Sequence, residues 1–410
     1  MRGRTCARFG LIALTACPVA PVAPVAPVAI VACDRIAGQA RDAYRYRQPP
    51  ALSDGWTTAS VDDQKIDRAR IEQMTGAIRR EADWNIHAVL IEYDGRLVYE
   101  EYFAGEDQRW GEPLGRVAFD LETKHDLRSV TKSVVSALVG AAAHAGKIRS
   151  LDAPVVEYFP EYADLQTPER RRITLRHVLG MTAGLEWNEE VSYADPRNSE
   201  IVMTRSAEPL RYVLSRPIVS EPGTTWNYSG GLTQLLAAVV QRSTGTPLRE
   251  YAKTVLFAPL GITDVDWLGD LAGLPSAASG LRLRPRDLAK FGSLYLHQGR
   301  WRSQQVLPAD WVEQSTRRRL TIGGERSDGY AYQWWHACVP AGSGVVEARM
   351  AVGNGSQRIY VLPTLNAVVT MLAGRYNDFT REPTRRILTE YIVPSIPARA
   401  SGRCPNDDSR

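Results

Sequence analysis

Two strand–turn–strand patterns, one near each end of the chain, constrain the fold more than any other feature of the sequence. Near the beginning, an apolar run that starts at His87 reaches Asp94-Gly95, and a second run follows at once. Asp-Gly between two such runs is a strong signal for a β-hairpin. Near the other end, the runs 358–363 and 367–373 flank the short turn 364–366. We therefore expect the two ends of the chain to complete one antiparallel sheet.

The stretch between the two hairpins has mainly helical periodicity. Helices are predicted at 61–83, 129–145, 174–180, 206–215, 231–244, 248–257, 285–297 and about 380–392. Strands at both ends with helices between them predict an α+β fold, in which an antiparallel β-sheet is flanked by helices and joined to an all-helical subdomain. One domain is expected over 60–400, with a sheet-containing part at about 60–150 and 280–400, a helical part at about 150–280, and a tail at 401–410.

The first forty residues have the pattern of an export signal. Three arginines precede an apolar run that is too short to span a bilayer as a helix, which is typical of a secretory signal. The tetrapeptides that end at Cys17 and at Cys33 each resemble a bacterial lipoprotein processing site, and the Pro-Val-Ala repeats between them favour an extended tether. Residues 1–40 are therefore predicted to be a signal peptide, or a lipoprotein signal with a Pro/Ala/Val tether, that directs the protein to the bacterial periplasm or cell envelope. Plain secretion and a membrane tether through an N-terminal lipid both stay open.

Composition argues against several classes of function. A net charge of +4 on 410 residues, with scattered arginines, does not favour nucleic-acid binding. None of the five cysteines forms a C-x-x-C pair, so a zinc or thioredoxin-type site is not expected. A disulfide between Cys338 and Cys404 is left open. The six histidines show no metal-ligand spacing such as H-E-x-x-H, so they are assigned structural or surface roles, and neither a metal nor a cofactor is predicted.

A serine and a lysine one helical turn apart are the first feature that indicates chemistry. Ser129 and Lys132 stand at the start of the predicted helix 129–145. Residues three apart share a helix face, with Cβ atoms about 5–6 Å apart. At that distance a neutral lysine amine can take the proton of a serine hydroxyl and make the oxygen a nucleophile. The N-terminus of the helix would favour the neutral amine and offer a peptide N–H to a developing oxyanion.

Two later segments supply the partners that such a serine needs. Tyr228 lies on a turn just before the predicted helix 231–244, where a phenol can pass a proton to a leaving group. The segment 353–357, Gly-Asn-Gly-Ser-Gln, precedes a predicted strand. Its glycines allow the backbone to approach a ligand closely, and an N–H at the strand edge can donate to the oxyanion.

With these segments in place, the chain resembles the serine β-lactamase and penicillin-binding superfamily. The likeness is to the class C β-lactamase side, which includes esterase and 6-aminohexanoate-dimer hydrolase relatives. It runs from about residue 84 to 393 through the ordered segments RSVTKSVVSALVG, ITLRHVLGMTAGLEW, EPGTTWNYSGGLTQLLAAVVQRSTGTPLREY, SGLRLRPRDLAKFGSLYLHQGRW, YAYQWW and VGNGSQRIYVLP. The resemblance implies Ser129 as the acyl-forming nucleophile, Lys132 as its general base and Tyr228 as the residue that assists proton transfer.

The same resemblance implies how the strand segment takes part. Asn354, Gly355 and Ser356 fall where the family has Lys-Thr-Gly or His-Gly-Gly, and the Gln357 backbone N–H would be the second oxyanion donor. Two residues depart from the lactamase pattern: Gly230 replaces an asparagine that holds the substrate amide, and Asn354 replaces a lysine that assists a substrate carboxylate. Both departures favour an acyl group other than a β-lactam.

These observations lead to one leading hypothesis and two alternatives. The leading hypothesis is an exported serine hydrolase that cleaves a small-molecule ester, amide or peptide substrate through an acyl-enzyme. The alternatives are a D-alanyl-D-alanine carboxypeptidase or β-lactamase, and a penicillin-binding or cell-wall-sensing module without turnover. Trp187, Trp334 and Trp335 are candidates for the wall of an acyl pocket, and the sequence does not indicate the oligomeric state.

Overall fold

The computed structural model describes residues 44–270, 273–322, 329–342, 344–378, 380 and 382–397, which belong to one compact unit that begins at Tyr44. The predicted export signal with Cys17 and Cys33, and the tail with Cys404, lie outside the described residues. Cys338 is disulfide-bonded, and its partner lies outside the described residues too.

Fourteen strands are formed by the described residues. They are β1 (Ile86–Tyr93), β2 (Arg96–Tyr102), β3 (Gly105–Arg109), β4 (Glu112–Val117), β5 (His125–Asp126), β6 (Asp266–Trp267), β7 (Leu281–Leu283), β8 (Arg300–Trp301), β9 (Gln304–Gln305), β10 (Gly329–Tyr330), β11 (Trp335–Ala341), β12 (Gly344–Gly353), β13 (Gln357–Leu362) and β14 (Ala367–Ala373).

The α-helices in this part of the chain are α1 (Arg68–Arg80), α2 (Val130–His144), α3 (Leu175–Leu179), α4 (Ser199–Arg205), α5 (Pro209–Ser215), α6 (Gly230–Thr244), α7 (Leu248–Ala252), α8 (Pro285–Leu296), α9 (Ala309–Thr316), α10 (Pro383–Ile387) and α11 (Val393–Ser395). π turns at Lys253–Phe257 and Leu388–Ile392 extend α7 and join α10 to α11, and 3₁₀ turns lie at Ala82–Trp84, Val155–Tyr158, Ala163–Leu165, Arg170–Arg172 and Pro363–Leu365. None of the helices that the structure describes is long and apolar enough to cross a bilayer.

A seven-stranded antiparallel sheet, in the order β10-β11-β12-β13-β14-β1-β2, is the centre of the fold. The first strand of the chain pairs with the last, since Leu90 of β1 lies opposite Thr370 of β14. Both predicted hairpins are confirmed, and so is the expectation that the two ends of the chain complete one sheet. Asp94 and Asn366 take left-handed backbone conformations in the two turns, which short polar side chains tolerate better than most.

Each face of the sheet is covered by its own hydrophobic core. Side chains alternate along a strand, so Leu90 packs into the core on one face, while Val89 and Ile91 pack into the core on the other. Helix α8 lies on the first face, and α1 with the C-terminal helices lies on the second. Because both faces are covered, every residue of β1 and β14 is buried.

The helical part of the chain packs around α2 and α6, which contact each other. Helix α2 is buried on nearly all sides, and Gly140 lies so close to the Trp311 ring that a Cβ there would collide with it. The predicted α+β class is confirmed, and each predicted helix is present. Helices α4 and α9 and the long hairpin of β11 and β12 were not predicted.

Candidate active site

The candidate nucleophile stands where a short strand ends and α2 begins. Ser129 is the N-cap residue of α2, and its side chain makes no capping hydrogen bond. Arg128, just before it, has a φ of 49°, a left-handed conformation that is unfavourable for a residue with a long side chain. Asp126 holds the Arg128 guanidinium at 3.1 Å, and the same guanidinium lies 5.0 Å from the ring centre of Tyr376. These contacts stabilise the sharp turn that presents Ser129.

Lys132 lies one turn further along α2 and faces the serine directly. Its Nζ is 3.0 Å from the Ser129 Oγ and donates to the carbonyl oxygen of Ala278 at 2.9 Å. The side chain is only 2% exposed, and it forms no ion pair with any residue in the described ranges. The Lys132 Nζ therefore lies within hydrogen-bond distance of the serine hydroxyl, which is the geometry that general-base activation requires.

Tyr228 completes the cluster from the turn before α6. The Lys132 Nζ lies 4.9 Å from its ring centre, and Tyr228 and Ser129 line the same cavity. Burial raises the pKa of the Tyr228 phenol well above its ordinary value, and the Glu189 carboxylate adds to the rise. The phenol therefore keeps its proton at neutral pH and can pass it on as an acid. The turn is fixed by Asn227, whose N–H donates to the Met181 carbonyl at 2.8 Å.

The strand segment 353–357 comes up against the serine turn, as the resemblance implies. A Cβ on Gly353 would collide with the Leu127 carbonyl oxygen, so only glycine allows the strand to approach the turn this closely. The Asn354 side chain is held in a reciprocal pair with Asn377: it donates to the Asn377 Oδ1 and accepts from the Asn377 backbone N–H, both at 2.8 Å. Gln357 is completely buried, and its side chain bonds to the backbone of Ala373.

A cavity of about 520 Å³ opens at Ser129 and Tyr228. One wall is aromatic, since Trp226 and Trp335 pack edge to face at 5.6 Å and Trp335 lies 5.5 Å from Tyr228. Gly353, Asn354, Gly355 and Ser356 also line the cavity, and Gln357 does not.

The three tryptophans proposed for the pocket have different positions. Trp335 lines the cavity. Trp334, which comes just before β11, is completely buried and packs against Tyr295 with ring centres 4.2 Å apart. Trp187 is buried as well, and its indole N–H donates to the Glu189 carboxylate at 2.5 Å. It therefore positions a residue of the cavity wall without lining the cavity itself.

Comparison with known proteins identifies the family of the chain. The family model described as Beta-lactamase matches residues 85–391, which is most of the chain. The chain belongs to the Beta-lactamase family. It is 29% identical to a 6-aminohexanoate-dimer hydrolase of Paenarthrobacter ureafaciens over 65% of this chain and 70% of that protein. It is 30% identical to the esterase EstB of Burkholderia gladioli over 53% of each chain, so the match spans about half of that esterase.

Solved structures show the same fold. A class C β-lactamase of Rhodobacter sphaeroides superposes with a TM-score of 0.58 at 20% identity, over 79% of this chain and 98% of that one. The fold resemblance implied by the sequence is therefore confirmed.

A pair of carboxyl groups accounts for the glycine at position 230, where the resemblance to lactamases leads to the expectation of an asparagine. A Cβ on Gly230 would stand 2.9 Å from an oxygen of Glu189, 2.9 Å from an oxygen of Glu200 and 2.9 Å from the Cβ of Ala278. The space that an asparagine side chain would need is thus filled by two acidic side chains. In this member of the family, a carboxyl pair lies beside the tyrosine motif.

The two carboxyl groups share a buried environment. The Glu189 Oε1 accepts from the Gly230 N–H and from Trp187, and the Glu200 Oε1 accepts from the Ser279 hydroxyl at 2.9 Å. The second oxygen of each group is buried and has no partner among the described residues. Burial, reinforced by the nearby Glu200, raises the pKa of the Glu189 carboxyl to about 8, and the Lys132 charge opposes the rise. Burial therefore favours the neutral form of the Glu189 carboxyl in the folded protein.

Sequence reasoning missed these carboxyl groups and the tryptophan beside the tyrosine motif, Trp226. A local signal did exist for Glu200: the side chain of Asn198 caps α4 by accepting from the N–H of Glu200 at 3.0 Å, and an Asn followed by Ser and Glu is typical of a helix start. Among the described residues, one group of side chains could hold a metal ion: His87, Asp107 and His125.

Proposed function

We propose that this Beta-lactamase-family protein is a serine hydrolase that cleaves a small ester or amide through an acyl-enzyme on Ser129. One observation carries the proposal: a buried lysine amine with no carboxylate partner lies 3.0 Å from a serine hydroxyl at a helix start, at the mouth of a cavity. Packing alone does not explain why a buried lysine amine points at the hydroxyl of an N-cap serine that makes no capping hydrogen bond.

In the proposed reaction, the Ser129 Oγ attacks the carbonyl carbon while its proton passes to the Lys132 Nζ. The tetrahedral oxyanion is stabilised by backbone N–H groups at the start of α2 and at the strand segment 353–357. Each such donor contributes about 3 kcal/mol to transition-state stabilisation. The carbon–leaving group bond then breaks, and Tyr228 relays the proton from Lys132 to the departing oxygen or nitrogen. A water molecule attacks the acyl-enzyme, and the acid is released.

The cavity supports an apolar or aromatic acyl group. Its wall next to the serine is formed by Trp226 and Trp335, which offer flat apolar surface. Arg358 also lines the cavity, and both oxygens of Glu382 hold its guanidinium at 2.9 Å. The Asn354 amide is engaged with Asn377. The names of two relatives, a 6-aminohexanoate-dimer hydrolase and an esterase, agree with hydrolysis of a small ester or amide.

The experiment uses Ser129→Ala with Ser133→Ala as its matched control. Ser133 lies on the same helix, and its hydroxyl donates to the Gln333 carbonyl at 2.7 Å, away from the cavity lining. We expect Ser129→Ala to lower kcat/KM for a chromogenic short-chain ester by at least about 10³-fold. Intact-mass spectrometry should show one fluorophosphonate adduct on the wild type and on Ser133→Ala, and none on Ser129→Ala. Ester turnover that survives in Ser129→Ala would exclude the mechanism.

The alternatives predict different results in the same assays. A D-alanyl-D-alanine carboxypeptidase should form an adduct with a labelled penicillin and release D-alanine from a peptide that ends in D-alanyl-D-alanine. A β-lactamase should hydrolyse a chromogenic cephalosporin faster than any ester. A cell-wall-sensing module should acylate once and then stop, so its mass adduct would persist without product.

We also propose that the protein is exported, on the basis of the pattern in residues 1–40. Cell fractionation of the full chain should place it in the periplasm or envelope. Radiolabelled palmitate on the wild type, lost in Cys17→Ala or in Cys33→Ala, would identify a lipid anchor and its site.

A further inference from the structure

Three buried side chains from three separate strands converge behind the serine turn. They are His87 of β1, Asp107 of β3 and His125 of β5, and both imidazoles are completely buried. The His87 Nδ1 is 2.8 Å from the His125 Nε2. The Asp107 Oδ1 lies 4.0 Å from the first of these nitrogens and 3.6 Å from the second. The proposed hydrolytic reaction uses none of these groups.

The hydrogen bonds of Asn85 fix which nitrogen of His87 carries the proton. The Asn85 Nδ2 donates to the Glu106 carbonyl at 2.8 Å, and the Asn85 Oδ1 accepts from the Glu106 N–H at 3.0 Å, so the amide cannot be reversed. The Oδ1 also lies 3.2 Å from the His87 Nε2, which must therefore be the donor. In a neutral imidazole this leaves a lone pair on Nδ1, pointing at the cluster.

The nitrogen of His125 that carries the proton can be assigned in the same way. Its Nδ1 lies 2.9 Å from the Asp126 carbonyl oxygen, which can only accept, so Nδ1 carries the proton. The Nε2 of His125 then has a lone pair that faces the lone pair of His87. Two acceptors at 2.8 Å repel each other unless a cation or an extra proton lies between them.

The carboxylate of Asp107 adds negative charge at the same point. Its Oδ1 accepts from the Tyr376 hydroxyl at 2.9 Å, and its Oδ2 is buried with no partner among the described residues. Asp107 is 7% exposed. A buried carboxylate with one oxygen lacking a donor is costly, and a cation bound at Oδ1 would offset its negative charge.

We propose that His87, Asp107 and His125 bind one divalent transition-metal ion of the zinc type. The three distances 2.8, 3.6 and 4.0 Å define a triangle whose centre is about 2.1 Å from each atom, and zinc–nitrogen and zinc–oxygen distances are about 2.0–2.2 Å. Two imidazoles and a carboxylate suit this class of ion. Each imidazole also donates its other N–H to a carbonyl oxygen, which is the usual outer support of a metal-bound histidine.

The surroundings indicate a structural ion that solvent does not reach. The Phe119 ring stacks on His87 with centres 4.1 Å apart, and Tyr376 closes the side next to Asp107. The ion would join β1, β3 and β5, and β5 ends three residues before Ser129. Tyr376 also packs against Gly355 of the strand segment, so the ion would brace both parts of the active site from behind.

The test measures metal binding directly on the full chain without an affinity tag. Protein treated with a strong chelator and desalted is titrated with Zn²⁺ by calorimetry, and Co²⁺ is added in parallel to record its visible spectrum. We expect one Zn²⁺ per chain, a raised Tm on reloading, and a Co²⁺ X-ray absorption spectrum with imidazole nitrogen and oxygen ligands. A sulfur ligand would overturn the assignment, because none of the three residues supplies one.

Two variants with a matched control locate the ion. Asp107→Asn and His87→Gln should weaken Zn²⁺ binding by more than about 100-fold. His297→Gln should leave binding unchanged, since His297 pairs with Glu92 at 2.6 Å and has no part in the cluster. If the ligand variants do not fold, the assignment is tested by the Co²⁺ X-ray absorption spectra of the wild type and of His297→Gln. Both spectra should show imidazole nitrogen and oxygen ligands. If the wild type binds neither Zn²⁺ nor Co²⁺, the metal proposal is wrong. A strongly downfield proton resonance in the NMR spectrum would then show that the two imidazoles share a proton.

Discussion

Two buried lysines, each three residues after its partner near a helix start, have opposite surroundings. The Lys132 Nζ is 3.0 Å from the hydroxyl of Ser129, and the Lys290 Nζ is 3.0 Å from the carboxylate of Asp287. Their side chains are 2% and 1% exposed. Lys290 is in an ion pair and lines no part of the cavity. The same spacing thus gives a structural pair with an aspartate and a candidate catalytic pair with a serine, and the partner makes the difference.

Removing the amine of Lys132 should have the largest effect. We expect Lys132→Met to lower kcat/KM for the ester by about 10³-fold, which is within the range that a general base contributes. The free energy of unfolding should fall by no more than about 2 kcal/mol, because methionine fills the space, no carboxylate loses a partner, and only the Ala278 carbonyl loses its donor. Ester kinetics and urea unfolding measure the two quantities. A large loss of stability with little loss of activity would show that Lys132 is structural.

The same substitution at Lys290 should give the reverse result. Lys290→Met leaves the buried carboxylate of Asp287 with only the Arg284 guanidinium, which it accepts from at 2.8 Å. Breaking a buried ion pair costs about 3–5 kcal/mol, and the remaining arginine should hold the cost near about 3 kcal/mol. Urea unfolding should show this loss, while kcat of the folded protein stays within about twofold of the wild type. A fall in kcat without a loss of stability would show that Lys290 affects the reaction as well, and the proposed difference between the two lysines would be wrong.

The parts of this site that sequence could predict are those set by local geometry. Ser129 and Lys132 are one helical turn apart, so their contact follows from helix geometry as soon as the helix is predicted. Tyr228 follows from a turn that precedes an apolar helical pattern. The two hairpins were predictable because their turn residues and the apolar runs on either side are local as well.

The parts that sequence could not predict depend on contacts between distant segments. Glu189 and Glu200 meet at Gly230, and no spacing rule connects a loop residue to the start of a helix further along the chain. The cluster of His87, Asp107 and His125 is assembled from three strands, and its ligand spacing matches no motif. Each histidine on its own is assigned a structural role, and the candidate metal site can be recognised only when the fold brings the three side chains together.

The last prediction concerns the Glu189 carboxyl group. If this group is ionised in the folded protein, Lys132 has a buried carboxylate near it, as Lys290 has. Burial raises the pKa of Glu189 to about 8 in the folded protein, above its ordinary value of 4.5. The folded state therefore holds a proton that the unfolded state loses, and stability must fall as pH rises from about 4.5 to about 8 and level off above that. Glu189→Gln cannot titrate at this position, so its stability relative to the wild type should rise over this window by about 1.4 kcal/mol for each pH unit, or about 5 kcal/mol in all. Urea unfolding of both proteins at several pH values measures the difference, with Glu190→Gln, an exposed neighbour, as control. If the difference between Glu189→Gln and wild type does not change with pH, Glu189 is ionised in the folded protein, and Lys132 has a carboxylate beside it just as Lys290 has.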